Sequence, residues 1–278
     1  MTIAAALRWA TRELGASAAA TVDARLLLQH VLQQPRPYLV AHGDEELTPA
    51  QQASFEGLVA RAAQREPVPY LIGSAPFYGL DFAVSPAVLI PRPETELLVE
   101  AALQWAASRS GLRVVDVGTG SGCIAVTLAK HLPGARIVAT DVSAPALALA
   151  QENAARHGVA GQIAFVQGSL LEPLSDRPDL VVANLPYIGD DEWTELEGGV
   201  KWYEPAVALR GGPTGLELVG LLLQQARPRL QVGGALFLEI GWRQGATARF
   251  LAQERFPQAQ IELLRDYSGH ERVLAIKS

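Results

Sequence analysis

A single cysteine, Cys123, stands in this chain of 278 residues, so neither an intrachain disulfide nor a thiolate-rich zinc cluster can form. The five histidines are scattered singly, and no structural metal is expected. No run of about 18 apolar residues is present to cross a bilayer. Arg8 and Arg12 fall inside the apolar pattern of MTIAAALRWATREL rather than ahead of it, which argues against a signal peptide and for a cytoplasmic protein. Basic charge is also short: 23 Lys and Arg face 29 Asp and Glu, a net charge of −6. That balance disfavours a surface that holds nucleic acid through its phosphates. Apolar residues are plentiful, at 49% against 19% charged, enough for a globular chain with a full core.

Residues 1–70 read as helices only. AALRWATREL and ARLLLQHVL repeat apolar residues at three and four spacing, and LTPAQQASFEGLVARAAQRE opens with Thr48 as N-cap, Pro49 at the first helical position and Gln51 completing a capping box. Residues 71–92 are rich in proline, glycine and aromatics, and the alternation in LDFAV predicts a short hairpin, so this stretch reads as a connector. From 93 to 278 helix and strand patterns alternate, with strands expected at LRVVDV, ARIVATDV, QIAFVQG, DLVVAN, GALFLEIG, QIELLRDY and ERVLAIK. Such alternation predicts an α/β fold, a mainly parallel sheet covered on both faces. Only SGH separates the closing parts of the last two strands, too little for a parallel crossover, so they should pair antiparallel at or near one edge.

The stretch VVDVGTGSGCIAVTLAKHL runs from an apolar strand through Gly118, Gly120 and Gly122 into a helix. Glycines there open backbone angles closed to other residues and let a ligand approach the main chain, while the helix start offers unpaired amides. A dinucleotide loop would want its third glycine where Cys123 stands, and does not call for an acid at Asp116. Asp141, ending the next strand, can accept both hydroxyls of a ribose, and Ser143 is the better cap for the following helix. Acid, glycines and acid in this order favour S-adenosylmethionine, which carries a sulfonium and an ammonium. The plainer alternative is a tight turn with a strand-ending Asp. Cys123, in the first helical turn, is expected to pack in the core.

In VVANLPYIGD an apolar strand stops at Asn184, at the strand end where ligands of open α/β sheets collect. A planar amide or aromatic amine has a delocalised lone pair and attacks poorly unless its hydrogens are held in a fixed geometry. The Asn184 side-chain oxygen supplies one acceptor and the Leu185 carbonyl a second. Pro186 restricts the loop, and the Tyr187 ring can lie against a flat amide or base. Asn184, Pro186 and Tyr187 are therefore the candidate catalytic residues, and positioning rather than a general base is expected to carry the reaction. The run of Asp190, Asp191, Glu192, Glu195 and Glu197 reads as a solvated loop or as a face for a basic partner.

These residues, with FYGLDFAVSPAVLIPRPETELLVE, ANLPYI, YEPAVALRGGPTGLELV and RDYSGHERV, resemble the HemK/PrmC family, glutamine methyltransferases of the Gly-Gly-Gln motif of class I peptide chain release factors. The resemblance covers nearly the whole chain. It implies a Rossmann-like class I methyltransferase with a seven-stranded sheet and a reversed strand near its edge. It also implies a helical N-terminal domain that engages the release factor. By it, Gly118, Thr119, Gly120, Ser121 and Gly122 cradle the methionine part of S-adenosylmethionine, Asp141 holds the ribose and Leu170 lies near the adenine. Asn184 touches cofactor and substrate, with Leu185, Pro186 and Tyr187 completing the glutamine pocket. Two positions depart from the family: Leu185 replaces a usual proline, and Ser169-Leu170 a usual Asp-aromatic pair. Rival readings are a glutamine methyltransferase of a ribosomal protein, a DNA or RNA adenine methyltransferase, and a non-catalytic cofactor-binding protein. The nucleic-acid reading is weakened by residues 1–85, which carry six Arg and no Lys against eight acids.

Overall fold

The structure, a computed structural model, describes residues 1–15, 18–195 and 198–278. Five helices come first: α1 (Ile3–Glu13), α2 (Ala18–Leu32), α3 (Arg36–Ala41), α4 (Pro49–Ala63) and α5 (Val68–Ile72). There follow β1 (Ser74–Phe77), β2 (Leu80–Ala83), α6 (Thr95–Ala106), β3 (Arg113–Val117), α7 (Cys123–His131), β4 (Arg136–Asp141), α8 (Ala144–Arg156), β5 (Ile163–Gln167) and β6 (Leu180–Ala183). The chain ends through β7 (Ile188–Gly189), α9 (Asp190–Glu195), α10 (Gly198–Tyr203), β8 (Arg210–Gly212), α11 (Glu217–Ala226), β9 (Ala235–Glu239), α12 (Gly245–Arg255), β10 (Gln260–Arg265) and β11 (Glu271–Lys277).

Two compact units result. The first holds residues 1–74 and α10. Its core gathers Ile3, Ala6 and Ala10 of α1, Ala24, Leu27 and Leu28 of α2, and Phe55 and Val59 of α4, with Trp9 edge-on to Phe55 at 6.1 Å. The capping box forms: Gln51 N donates to Thr48 Oγ1 at 3.3 Å and Thr48 N to Gln51 Oε1 at 2.9 Å, with Pro49 opening α4. In α10, the Tyr203 hydroxyl donates to the Gln64 carbonyl at 3.4 Å.

The second unit is built on a seven-stranded sheet in the order β10-β11-β9-β6-β3-β4-β5. All neighbours are parallel except β11, which runs antiparallel to both β10 and β9. The reversed strand is thus one in from the edge. Side chains alternate between the faces, as a period of two requires. Val114, Leu180, Val182, Ala235 and Phe237 enter one core with Leu98 and Val99 of α6 and Ile124 and Leu128 of α7. Val115, Val181, Ala183, Leu236 and Leu238 enter the other with Leu222 and Leu223 of α11. The hairpin β1-β2 lays Phe77 and Phe82, both buried, into the first of these cores. Helix α6 begins at Thr95, two residues after Pro93, and Glu94 holds the N-cap position without a side-chain bond. The acidic run, expected as a loop, forms the short helix α9, exposed along most of its length; Glu197 lies outside the described residues.

Candidate active site

At the C-terminal ends of β3, β4 and β6 the second unit opens a cleft of about 680 Å³. Its floor is the glycine loop. Gly118, Gly120 and Gly122 all have positive φ, at 71°, 54° and 80°. The two outer ones are also crowded: a Cβ on Gly118 would lie 3.3 Å from Leu185 Cδ2, and one on Gly122 3.0 Å from Ala150 Cβ. Only glycine lets β3 turn this tightly into α7 while α8 and the Asn184 loop press against it. Thr119 and Ser121 are buried in the same loop. Gly122 precedes α7 with no side-chain cap, and among the first helical amides Ala125 N is taken by Asp116. Asn153, wholly buried on α8, donates to the Ser121 and Ala83 carbonyls at 2.8 and 3.0 Å and accepts from Ala83 N at 2.8 Å. One side chain thereby ties the hairpin to the glycine loop.

Asp116 lies beneath the loop, wholly buried. Its Oδ2 accepts from Thr119 Oγ1 at 2.6 Å and from Ala125 N at 3.1 Å, while Oδ1 is buried without a partner. Burial pushes its carboxyl up to about 7; the nearby charge of Asp141 adds to this, and the two hydrogen bonds oppose it. A cation set against Oδ1 would favour the ionised form. Asp141 is more engaged than the sequence suggests: Oδ2 accepts from Gly120 N and Oδ1 from Ser143 N, both at 2.9 Å. Each oxygen keeps a further lone pair for a hydroxyl. Ser143 caps α8, accepting from Ala146 N at 3.3 Å. Ser169 and Leu170 line the cleft; Leu170 is buried at φ 49°, with its carbonyl accepting from Thr140 Oγ1 at 3.0 Å. Cys123 packs in the first core, and burial pushes its thiol up to about 12, far from a reactive thiolate.

Asn184, Leu185 and Pro186 line the cleft. Asn184 Nδ2 donates to Thr95 Oγ1 at 3.0 Å, and Oδ1 is buried without a partner. Among the described residues the Leu185 carbonyl likewise accepts no hydrogen bond. The next two carbonyls are hemmed in by glycines of RGGPTG: a Cβ on Gly211 would lie 2.4 Å from Pro186 O, and one on Gly215 2.1 Å from Tyr187 O. Gln244 Nε2 donates to Tyr187 O at 2.8 Å. Tyr187 is not among the cleft-lining residues. Its hydroxyl donates to Glu239 Oε1 at 3.4 Å, and burial holds the phenol well above its usual range.

Four residues here lie outside the sequence-based candidates. Thr95 lines the cleft and donates through Oγ1 to Glu239 Oε2 at 2.6 Å. Glu239, buried at the end of β9, has its carboxyl pushed up to about 7 by burial. Arg92 pairs with buried Glu204, which also accepts from Ile90 N at 3.2 Å. The signal for Glu239 was visible, an acid at the end of the apolar ALFLE, much as Asp116 sits one residue before the end of β3 and Asn184 one residue after the end of β6.

A seven-stranded sheet with its reversed strand, and a glycine-floored cleft at the strand ends, define a class I methyltransferase. Residues 5–73 match the PrmC N-terminal domain and residues 93–196 the methyltransferase small domain. The chain is 42% identical over 275 residues to the release factor glutamine methyltransferase of Moorella thermoacetica, covering 98% of this chain and 97% of that one. To the protein of that name from Bordetella pertussis it is 41% identical, covering 91% and 93%. A methyltransferase structure from Pyrococcus furiosus shares the fold at a TM-score of 0.56 and 18% identity, covering 78% of this chain and 96% of that one. The chain belongs to the release factor glutamine methyltransferase family.

Proposed function

We propose that this protein transfers a methyl group from S-adenosylmethionine to the side-chain amide nitrogen of the glutamine in the Gly-Gly-Gln motif of class I peptide chain release factors. The observation that carries this reading is the pair of neighbouring acceptors Asn184 Oδ1, buried without a partner, and the Leu185 carbonyl, which takes no backbone hydrogen bond among the described residues. A primary amide has two N–H hydrogens, and each acceptor can hold one.

The residues present fit the cofactor. The buried, unpartnered Asp116 Oδ1 is an acidic acceptor suited to a cation, the start of α7 suits a carboxylate, and Asp141 has lone pairs left for ribose hydroxyls. When bound, S-adenosylmethionine supplies an electrophilic methyl on a positively charged sulfur. Asn184 and Leu185 hold the amide hydrogens, which fixes the nitrogen in one orientation. Gly211 and Gly215 let β8 and the turn before α11 press on the Pro186 and Tyr187 carbonyls, so the loop cannot swing. Apolar walls from Val88, Ile124, Leu170 and Leu185 keep water from the reacting atoms. No base would be needed to begin: the nitrogen would take the methyl, leaving the sulfonium as a neutral thioether, and one amide hydrogen would depart afterwards as a proton, so alignment supplies most of the rate.

The helical first unit is the proposed release-factor-engaging domain, the stretch 71–92 its connector and 93–278 the methyltransferase domain. The acidic balance supports a protein partner over nucleic acid. No helix among the described residues is long and apolar enough to cross a membrane, and a cytoplasmic location is proposed with the substrate. The test incubates the purified protein and radiolabelled cofactor with a class I release factor, with a ribosomal protein bearing a candidate glutamine, and with duplex DNA. Label is expected on the release factor at its Gly-Gly-Gln glutamine; label confined to either alternative overturns the reading.

A further inference from the structure

We propose that Thr95 and Glu239 are positioning residues for this reaction: together they decide which end of the Asn184 carboxamide faces the substrate. The inference rests on the glutamine-amide reading above. A carboxamide is nearly symmetric in shape, and a half-turn about its last bond exchanges an acceptor for two donors. Flipped, Asn184 would oppose the NH2 of an incoming amide with its own NH2, and neither would find an acceptor.

Thr95 alone cannot settle the orientation, because a hydroxyl both donates and accepts. A carboxylate whose two oxygens both take hydroxyl hydrogens, Oε1 from Tyr187 and Oε2 from Thr95, only accepts, the form that prevails above its raised value of about 7. Glu239 Oε2 therefore takes the Thr95 hydroxyl hydrogen at 2.6 Å, and the Thr95 lone pairs are left to accept from Asn184 Nδ2 at 3.0 Å. With Nδ2 so engaged, Oδ1 is the atom left buried and unpartnered.

The fold brings the three together. Ala183 of β6 stands opposite Leu238 of β9 in parallel register; Glu239 is the last residue of β9, and Asn184 directly follows β6. Both share the parity of Val182 and Phe237, which face the core beneath α6, and Thr95 is the first residue of that helix. Glu239 also accepts the Tyr187 hydroxyl through Oε1 at 3.4 Å, so one carboxylate steadies two residues of the Asn-Leu-Pro-Tyr loop.

Thr95→Val keeps the shape and removes the hydroxyl. It is expected to lower kcat by about tenfold to a hundredfold, the range set by losing one strong hydrogen bond. KM for the release factor and the dissociation constant for S-adenosylhomocysteine, by calorimetry, should stay within about twofold, as for an interaction that acts on the chemical step. Thr95→Ser, which retains the hydroxyl, should restore most of kcat. An independent readout is the Asn184 side-chain amide resonance, identified by its disappearance in Asn184→Ala. Its hydrogens should exchange slowly with water in the parent and in Thr95→Ser, and fast in Thr95→Val. If Thr95→Val does not fold, the smaller Thr95→Ala carries the same comparison. Parent-like kcat in the hydroxyl-free variant, equal losses in both Thr95 variants, or retained amide protection without the hydroxyl would overturn the relay. An inactive parent protein whose Asn184 amide shows the expected protection pattern would overturn the substrate reading and leave the relay standing.

Discussion

At Asp116, Asn184 and Glu239, one polar side chain stands at or next to the C-terminal end of a mostly apolar strand, and burial gives each an uncommon property. Asp116 and Asn184 keep an acceptor without a donor, a cost a folded protein bears where a ligand supplies the missing hydrogen. Truncating Asn184 to Ala removes the acceptor that aligns the amide. The expected loss is about 100- to 1000-fold in kcat, by analogy with removing one preorganised hydrogen-bonding group, with the far-ultraviolet spectrum retained. Asp116 makes a pH-dependent prediction. Its carboxyl is raised to about 7 in the ligand-free protein, so below that pH it is largely neutral and a poor partner for a cation. Cofactor affinity measured by calorimetry should rise between pH 6 and pH 8, roughly the window around that value. Asp116→Asn should bind more weakly and lose this rise.

Among the elements, the short strand β8 and the turn after it do more than their length suggests. Gly215 sits at φ 78°, and a Cβ there would meet Tyr187 O at 2.1 Å. Gly215→Ala must therefore push the substrate loop aside, and is expected to lower kcat/KM for the release factor more than it lowers the affinity for S-adenosylhomocysteine. The start of α4 gives the contrasting case. Thr48→Ala removes a formed capping box far along the chain from the cleft residues, costs about 1 kcal/mol and should lower the melting temperature by a few degrees without changing kcat. The helix patterns, the capping box and the seven strands were legible because each rests on contacts within a few residues. The true start of α6 was not. Pro93 is a good opening residue, yet the chain delays the helix until Thr95, where the hydroxyl meets Glu239, 144 positions away.

For the molecule as a whole, burying Glu239 links stability to pH. Its carboxyl is raised from an ordinary 4.5 to about 7, so the folded protein holds this proton more tightly than the unfolded chain. The stability it contributes is present in acid and is lost as pH rises from 4.5 through about 7. Glu239→Gln removes this titration. Its unfolding midpoint in denaturant, relative to the parent, should become more favourable from pH 5 to pH 8; a constant difference would mean that Glu239 does not titrate in that window. By itself the sequence determined the α/β class, the reversed final hairpin, the glycine loop between two acids and the Asn-Leu-Pro-Tyr loop, since a period of two, a turn glycine and a strand-ending polar residue are written within a dozen positions. Only tertiary structure decided that Tyr187 turns its hydroxyl to Glu239 and that Asp141 is already bonded to the glycine loop. It also decided that Thr95 and Glu239 set the face of Asn184. Those outcomes depend on which strands lie side by side and in what register, and chain segments distant in sequence acquire that relation only when they pack.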